Sequence, residues 1–322
     1  MAMTYKKKAA VLSAFVVVLA AVYILSLVFD PGNKRDHAFA WLEPSLLVMA
    51  DGIEIYGPEG RSVLKRKNDI WFFQAEGSDY HPAGRLAFDQ PALEFPVKQE
   101  RVGDLFALLG RREVYPVRAS SSEGIQRLGL TEDSASRIIV RGGAGLPLLD
   151  LLVGSADALG REIFLRRTGW NKIYSAEDHF SFFTGAKPRS WYDLRMFPQF
   201  AADSVQQAEI IYPNREAYIL RRSGGRWIIP GSENAPVDTI RVEAWLRMVL
   251  EAEGDDFGFG VPEEAEGSIT FWFGDGSTQV LRLGFADEQN NRRAVISGSS
   301  FVYVLTERKF NNLFRESSYF FE

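Results

Sequence analysis

Cysteine is absent from the sequence, and histidine occurs only three times in 322 residues. The absence of cysteine excludes disulfides, zinc sites built on thiolates, and a lipid attached to cysteine. The sequence also lacks a P-loop, the glycine pattern of dinucleotide-binding folds, a nucleophile elbow and a zincin motif. We therefore predict a protein that is not an enzyme and that requires no cofactor and no metal.

Excess positive charge is also lacking. The formal net charge is −5, and it falls to −8 when the three lysines before the apolar N-terminal run are left out. A nucleic-acid-binding body carries a basic patch that neutralises phosphates, whereas this body is mildly acidic. We therefore predict no binding to DNA or RNA.

Three candidates for chemistry remain, and each has a structural explanation. His179 begins a short helix beside Asp178, where an exposed histidine is more common than a general base. The acidic segment 251–266 is rich in the oxygen ligands that calcium prefers, but its spacing matches no calcium loop. We interpret it as a solvated linker between a helix and a strand, with binding of a cation or of an electropositive partner as the alternatives. A hydrolase using carboxylates such as Asp193 or Asp238 would need two carboxyls that face each other across a pocket.

One long apolar run lies near the N-terminus. It begins at Ala9, ends at Phe29 and contains no charged residue. As a helix, these 21 residues span about 30 Å, the thickness of a bilayer's hydrocarbon core. The run therefore predicts a transmembrane helix.

The flanking charges predict the orientation of this helix. Lys6, Lys7 and Lys8 directly precede the run, and a basic cluster at that end favours retention in the cytoplasm. A cleaved signal peptide is the alternative, but its apolar region is usually shorter and ends in small residues, unlike LSLVF at positions 25–29. We predict an uncleaved, single-pass anchor in the cytoplasmic (inner) membrane of a bacterium, with the N-terminus in the cytoplasm and the body extracytoplasmic.

Comparison of the chain with itself indicates an internal repeat. Residues 64–71 (LKRKNDIW) recur 156 positions later as residues 220–227 (LRRSGGRW), and Tyr56 and Tyr212 share that offset, so each copy begins with a predicted hairpin. Two amphipathic helices then correspond at an offset of 140, and their matched positions are Val97, Arg101, Val102, Leu105, Phe106 and Leu109 with Val237, Arg241, Val242, Trp245, Leu246 and Val249. The change of offset requires extra residues in the first copy, which we assign to a surface loop at 77–96.

The remaining elements of the two copies follow one order. LGL at 128–130 corresponds to FGF at 257–259, and Tyr174 and Tyr303 lie in matching predicted strands. Each copy reads as two strands, a helix, four strands and a helix. The sequence therefore predicts an α+β fold, with an N-terminal transmembrane helix followed by two tandem repeats, each a largely antiparallel sheet with helices packed on one face.

Domain boundaries follow from the anchor and the repeat. The exported part is long enough for two domains with cores of their own. We predict a cytoplasmic basic tail at 1–8, the transmembrane anchor at 9–29, a stalk at 30–40, the first repeat at 41–190, and the second repeat with the linker at 191–322.

These segments resemble domain-of-unknown-function family 4340. The segments that carry the resemblance are LKRKNDIW, FPVKQERV, LGL, LLVG and KIYS in the first copy and LRRSGGRW, APVDTIRV, FGF, LRLG and FVYVL in the second. The resemblance covers most of the chain from Gly52 to Phe314. It implies a membrane-anchored extracytoplasmic protein, often found beside ABC-transporter components of the gliding-associated type, and it implies a partner rather than an activity.

Aromatic residues cluster where the two copies join. The candidate interaction surface consists of Trp191, Tyr192, Phe197 and Phe200. Packing between the copies is the default explanation for such a cluster. Trp71 and Trp227 recur after a hairpin turn, and we interpret them as structural residues that cover a sheet. The apolar tail at 319–321 is expected to dock on the body or on a partner.

Two functions fit these features. The leading hypothesis is a membrane-anchored extracytoplasmic non-catalytic scaffold or accessory subunit of an ABC-transporter-linked or envelope-assembly complex. Its partners would be the lipid bilayer, through the N-terminal helix, and other membrane or envelope proteins, including ABC-transporter subunits. The alternative is a module that binds envelope glycan or peptide in a cleft between the repeats, and an aromatic cleft containing Trp71 or Trp191 would favour it.

Overall fold

The structure is a computed structural model that describes residue 19 and residues 38–75, 93–213, 215–232 and 235–321. The predicted basic tail, the predicted anchor apart from Leu19, and most of the predicted stalk lie outside these residues. Within the described part of the chain, no helix combines the length and the apolar character needed to cross a bilayer.

The first half of the described chain forms a nine-stranded sheet in which all neighbours are antiparallel. Its strands are β1 (Ala50–Gly57), β2 (Gly60–Lys67), β3 (Ile70–Ala75), β4 (Leu93–Pro96), β5 (Val117–Ala119), β6 (Ser136–Gly142), β7 (Pro147–Ala156), β8 (Glu162–Arg167) and β9 (Ile173–Glu177). Their order is β4-β3-β2-β1-β6-β7-β8-β9-β5. Ile53 and Ile55 of β1 face the core, whereas Glu54 between them faces outward, because side chains alternate along a strand.

The second half of the described chain forms an eight-stranded antiparallel sheet. Its strands are β10 (Val205–Ile211), β11 (Tyr218–Ser223), β12 (Arg226–Ile228), β13 (Asp256–Gly258), β14 (Gly267–Phe273), β15 (Thr278–Leu283), β16 (Arg292–Ile296) and β17 (Val302–Leu305). Their order is β12-β11-β10-β14-β15-β16-β17-β13, which is the order of the first sheet without β4. We call each sheet with its helices a unit.

The predicted α+β class is confirmed in its coarse form, as two antiparallel sheets with few helices. The fold is therefore mostly β. The helices are α1 (Pro44–Leu47), α2 (Gln99–Gly110), α3 (Ser122–Arg127), α4 (Ser181–Thr184), α5 (Thr239–Leu250) and α6 (Glu307–Leu313). The predicted amphipathic helices are confirmed as α2 and α5, with buried faces that include Leu105 and Trp245. Asp238 caps α5 by accepting from the backbone N–H groups of Ile240 and Arg241.

Before its long helix, the first unit has two more strands than predicted, β3 and β4, and the second unit has one more, β12. Trp71 and Trp227 follow the predicted hairpins, but they lie in the third strands β3 and β12. Trp71 is 6% exposed and Trp227 is 3% exposed. The interpretation of both tryptophans as structural residues is therefore confirmed.

The prediction that the helices share one face of each sheet is wrong for the first unit. Ile125 of α3 packs against a small separate core made of Leu130, Leu152 and Ile173. Leu152 faces away from the main core because its neighbour in β7, Val153, faces into it. Helix α3 therefore covers the opposite face of the sheet.

The predicted match between LGL and FGF is also wrong. In the second sheet, Phe257 of β13 pairs with Tyr303, and the residue that pairs with the matching Tyr174 in the first sheet is Val117 of β5. Residues 128–130 follow α3 and lie outside the strands. Helix α3, which was not predicted, lies between β5 and the LGL segment at 128–130. The true counterpart of β13 therefore precedes LGL in the sequence.

The extra residues of the first copy form more than the predicted loop. Residues 76–92 lie outside the described chain, but the residues that follow them form β4, and the described part of the second sheet has no matching strand. Phe95 of β4 stacks on Phe257 of the second unit, with ring centres 4.6 Å apart and planes inclined by 2°. The insertion therefore supplies a contact between the units.

The linker between the units, residues 191–197, completes the first unit. Val97 forms an antiparallel β-bridge with Tyr192 of the linker, just as Val237 forms one with Phe321 near the C-terminus. Phe320 is fully buried, so the C-terminal tail docks on the body, one of the two outcomes expected from its sequence. The beginning of the linker thus holds the position in the first unit that the tail holds in the second.

The same linker also begins the second unit. Arg195 forms an antiparallel β-bridge with Glu253, just as Phe39 forms one with Glu113 in the first unit. Because Tyr192 pairs with one unit and Arg195 with the other, the linker is bound on both sides. One cluster of buried side chains runs through both units.

Replacement of Phe95 by alanine tests the contact between the units. Phe95 is 4% exposed, and its removal leaves a cavity against Phe257. We expect Phe95→Ala to lower the free energy of unfolding by about 3–5 kcal/mol in urea titrations followed by circular dichroism. The control Phe285→Ala removes a ring that is 61% exposed and should change it by less than about 0.5 kcal/mol. Equal losses in the two variants would contradict the role given to Phe95.

Candidate interaction surface

The predicted interaction residues lie inside the protein. Trp191, Tyr192 and Phe197 are 0%, 2% and 2% exposed, and Phe200 packs partly buried against the main core. The ring of Tyr192 lies 5.5 Å from that of Phe257. The structure therefore corrects the prediction that these residues form an interaction surface. An aromatic run that packs between two units has the same composition as one that contacts a partner, so composition could not distinguish them.

The aromatic cleft of the alternative function is not formed by the residues expected to line it. Trp71 is 6% exposed and Trp191 is fully buried. A sugar ring stacks on the accessible face of an indole, and neither indole offers one. Their burial argues against a glycan site at these positions.

The acidic segment is tied into the fold by its carboxylates. Asp255 accepts hydrogen bonds from the backbone N–H and the hydroxyl of Thr306 at 2.8 and 2.9 Å, and it lies 3.1 Å from Lys309 Nζ. Burial raises the pKa of Asp255, but these partners outweigh burial and hold the pKa below its ordinary value. Glu266 pairs with Arg292 at 2.9 Å. Among the residues that the structure describes, no group of three or more metal-ligating side chains could hold a metal ion.

The other candidates for chemistry also have structural partners. Asp193 accepts from Arg195 Nε at 2.8 Å and Nη2 at 2.6 Å. Burial raises the pKa of Asp193, but the hydrogen bonds from Arg195 outweigh burial and lower it. Asp238 serves as the N-cap of α5. His179 is half exposed, and its Nε2 lies 3.2 Å from Glu177. Each carboxylate thus stabilises local structure.

An ion-pair network on the outer face of the first sheet is centred on Glu54. Its carboxylate accepts from Tyr56 Oη and Arg141 Nε, both at 2.6 Å, and from Arg61 Nη2 at 3.1 Å. Burial alone would raise the pKa of Glu54, but these hydrogen bonds outweigh burial and lower the pKa to about 2. The network joins β1, β2 and β6 on the side away from the core.

An exposed aromatic ring marks an open surface between α2 and α4. Phe182 is 61% exposed, whereas the next residue, Phe183, is 4% exposed. Successive residues of a helix point about 100° apart, so a short helix that buries one ring exposes the other. One cavity of about 620 Å³ and another of about 510 Å³ both border Phe182. We call Phe182 with the two cavities the Phe182 groove.

Arg101 of α2 forms part of this groove. Its Nη2 donates to Phe182 O at 2.8 Å, and its guanidinium carbon lies 4.3 Å from the ring centre of Phe182 and 4.7 Å from that of Trp191. Burial lowers the pKa of Arg101, and nearby Asp104 opposes this shift. The predicted residue Trp191 therefore takes part in the site from within the core.

In the sequence, Phe182 is one of several clustered aromatic residues between 180 and 200, and its exposure was not predicted although a signal was present. Phe182 and Phe183 are adjacent in a short predicted helix, and a helix packed on one side cannot bury both. Arg101 was recognised only as a position of the repeat. The two residues are 81 positions apart, and the fold brings them together.

The chain matches a known family in sequence. The sequence model of the family described as a domain of unknown function (DUF4340) matches residues 90–268. This range begins just before β4, includes α2, the Phe182 groove, the linker and α5, and ends in β14. No curated protein matches the chain.

Replacement of Glu54 by glutamine tests the network on the first sheet. We expect Glu54→Gln to lower the free energy of unfolding at pH 7 by about 1–3 kcal/mol, because charge-assisted hydrogen bonds are lost. The folded-state pKa lies below the ordinary value of 4.5, so the stabilisation is complete above pH 4.5 and is lost as the pH falls toward about 2. Urea titrations at several pH values measure the difference in free energy of unfolding between the wild-type protein and the variant. This difference should become smaller as the pH falls from 4.5 toward about 2.

Glu162→Gln is the matched control for this measurement. Glu162 pairs with Arg118 at 2.7 Å, but both side chains are at least 40% exposed. An exposed pair contributes less than about 1 kcal/mol. A Glu54→Gln effect no larger than that of the control, or one that does not vary between pH 4.5 and 2, would contradict the assignment.

Proposed function

The chain belongs to the family described as a domain of unknown function, DUF4340, and we propose that it is a membrane-anchored, extracytoplasmic, non-catalytic scaffold or accessory subunit. The family match covers more than half of the chain. We propose that its partners are other membrane or envelope proteins, including ABC-transporter subunits, as the family resemblance implies. The bilayer is the further partner, through the N-terminal helix.

The apolar run from Ala9 to Phe29 and the lysines before it support the anchored arrangement. Phe39 is paired with Glu113 of the body, so the proposed stalk is shortened to residues 30–37, and these eight residues span at most about 30 Å when fully extended. The body would therefore stay close to the membrane surface. Other proteins of the same membrane would be within its reach.

The matching strand orders support a duplication of one unit. The helices α2 and α5 occupy equivalent places, and equivalent bridges close each unit. We propose that the two units are tandem copies of one ancestral fold. The family match runs across both units as a single range. It is therefore consistent with a duplicated unit and equally with a single domain that was never duplicated.

The observation that carries the scaffold proposal is the exposed Phe182 between its two cavities. Exposed apolar surface beside concave space is typical of protein interaction sites. Asp193 and Asp238, the carboxylates considered for catalysis, instead accept structural hydrogen bonds. The groove supports binding of a partner protein better than it supports a reaction.

Membrane fractionation and protease protection test the anchor. We expect the full-length product in the cytoplasmic-membrane fraction, extracted by detergent but not by high salt. Protease added to the outer side of that membrane should digest the body. A product free in solution without its first thirty residues, or a body digested only from the cytoplasmic side, would overturn the anchored arrangement.

Photo-crosslinking tests the Phe182 groove as a docking site. We expect benzoylphenylalanine at position 182 to give one discrete crosslinked product in native membranes, and the same complex should persist during purification in mild detergent. Phe285 has the same exposed fraction, 61%, and benzoylphenylalanine at position 285 should give no such product. Isolation of a lone monomer, or equal crosslinking from both positions, would count against a scaffold that binds through this groove.

A further inference from the structure

The larger cavity of the Phe182 groove is positively charged. Three cationic side chains, Arg101, Lys187 and Arg189, line it together with the hydroxyls of Ser181 and Ser190, and no carboxylate lines it. The whole chain carries a formal net charge of −5. A local positive cavity in an acidic protein concentrates anions.

Arg101 is held in position before any ligand arrives. Its guanidinium stacks against the rings of Phe182 and Trp191 and donates from Nη2 to Phe182 O. A guanidinium that is already oriented loses little side-chain entropy when it binds a carboxylate. No carboxylate of the described residues forms an ion pair with it within 4.0 Å, although Asp104 is close enough to influence its pKa.

Two polar atoms of lining residues are buried without a hydrogen-bond partner in the described chain. They are Arg101 Nε and Ser190 Oγ, and the indole Nε1 of Trp191, which is fully buried and does not line the cavity, also lacks a partner there. Arg101 Nε and the indole Nε1 can only donate, so the group that satisfies them must accept. These atoms have no acceptor within the described chain, so the Arg101 side of the cavity has hydrogen-bonding capacity that the protein itself does not use.

The other two cations are available to a ligand. Lys187 Nζ lies 3.9 Å from Glu59 Oε2, and Arg189 Nη1 lies 3.8 Å from Asp256 Oδ2. Both distances exceed those of hydrogen bonds. The side chains of Lys187 and Arg189 are 77% and 58% exposed, so both can turn toward an anion at modest cost.

The smaller cavity provides an apolar wall on the same groove. Ala107, Leu108 and Phe183 form its apolar part, Phe182 borders both cavities, and the remaining lining residues are Asp104, Arg111, Asp178 and His179. A segment that places an acidic residue beside an apolar one would fill both. This combination of charge and apolar surface favours a polypeptide over a simple anion.

We propose that the cavity lined by Arg101, Lys187 and Arg189 binds the carboxylate of an acidic segment in the partner protein, whose neighbouring apolar side chain packs on Phe182. This inference rests on the proposed function, because it specifies the chemistry of the partner that the groove receives. The carboxylate accepts from the guanidinium of Arg101, and Lys187 and Arg189 neutralise the remaining charge. Ser190 contributes a hydroxyl donor.

Peptide titration of the full chain in mild detergent tests this site. The probes are acetyl-Phe-Glu-Asp-Leu-amide, its neutral counterpart acetyl-Phe-Gln-Asn-Leu-amide, and inorganic phosphate. We expect the acidic peptide to bind at least about ten times more tightly than the neutral one in calorimetry, because charge-assisted hydrogen bonds are lost with the amides. The acidic peptide should also shift the nuclear magnetic resonance signal of the Trp191 indole N–H.

Charge-reversal variants separate the cavity from the net charge of the chain. The double variant Lys187→Glu, Arg189→Glu should lose at least about tenfold in affinity for the acidic peptide. The matched control Lys172→Glu, Arg308→Glu makes the same change in net charge at exposed positions outside the groove, and it should bind normally. Circular dichroism of each variant shows that the fold is retained.

Several results would overturn the proposed site. They are equal binding of the acidic and neutral peptides, equal losses in the two double variants, and binding of phosphate without binding of the acidic peptide. Crosslinking from position 182 distinguishes this failure from that of the scaffold function. A partner crosslinked equally well to the Lys187→Glu, Arg189→Glu variant leaves the scaffold function standing and removes only the carboxylate site.

Discussion

Backbone pairing of the linker with both units is the constraint on which the rest of the structure depends. Tyr192 is bound to the first unit, and Arg195, three residues later, is bound to the second. Buried backbone groups must be paired, so these bridges hold the two units within the three-residue span from Tyr192 to Arg195. The stack of Phe95 on Phe257 closes the junction beside them. The same linker places Trp191 beneath Arg101, so the geometry of the Phe182 groove depends on the junction.

The ionisable groups of the described chain serve this architecture. Four carboxylates with shifted pKa values, those of Glu54, Asp150, Asp193 and Asp255, are partly buried, and in each the hydrogen bonds that favour the charged form outweigh burial. A general acid that works near neutral pH needs a raised pKa, which these groups do not have. Arg101 differs from them because its charge is partly buried without a carboxylate partner. That contrast is the reason why we propose the Phe182 groove as a recognition surface.

Periodicity predicted the elements that are long enough to display it. The helices α2 and α5 have twelve residues each, and their buried faces follow the helical spacing. The three-residue strands β5, β12 and β13 are too short to show any alternation, and their existence depends on pairing with distant strands. The similar letters of LGL and FGF therefore misled the alignment. Tyr56 and Tyr212 were also matched by sequence offset, but their positions in the two units are not equivalent. Tyr56 lies within β1, whereas Tyr212 lies just beyond the end of β10.

The Phe182 groove could not be predicted for a related reason. Its lining comes from α2 and from the segment around α4, which are about eighty positions apart, and no local pattern joins them. The aromatic run at the junction drew attention to Trp191, Tyr192, Phe197 and Phe200. The composition of that run could not reveal that the protein's own two units cover it.

The shared linker means that the units overlap rather than abut. A fragment that ends before Trp191 would lack the bridge that closes the first unit, whereas one that begins after Phe197 would lack the segment that opens the second. The chain therefore cannot be divided at any single position in the linker into two fragments that each contain a complete unit. If further units were ever added to such a chain, each addition would have to bring its own closing and opening residues, so growth of the fold proceeds by interlocking segments rather than by joining independent domains.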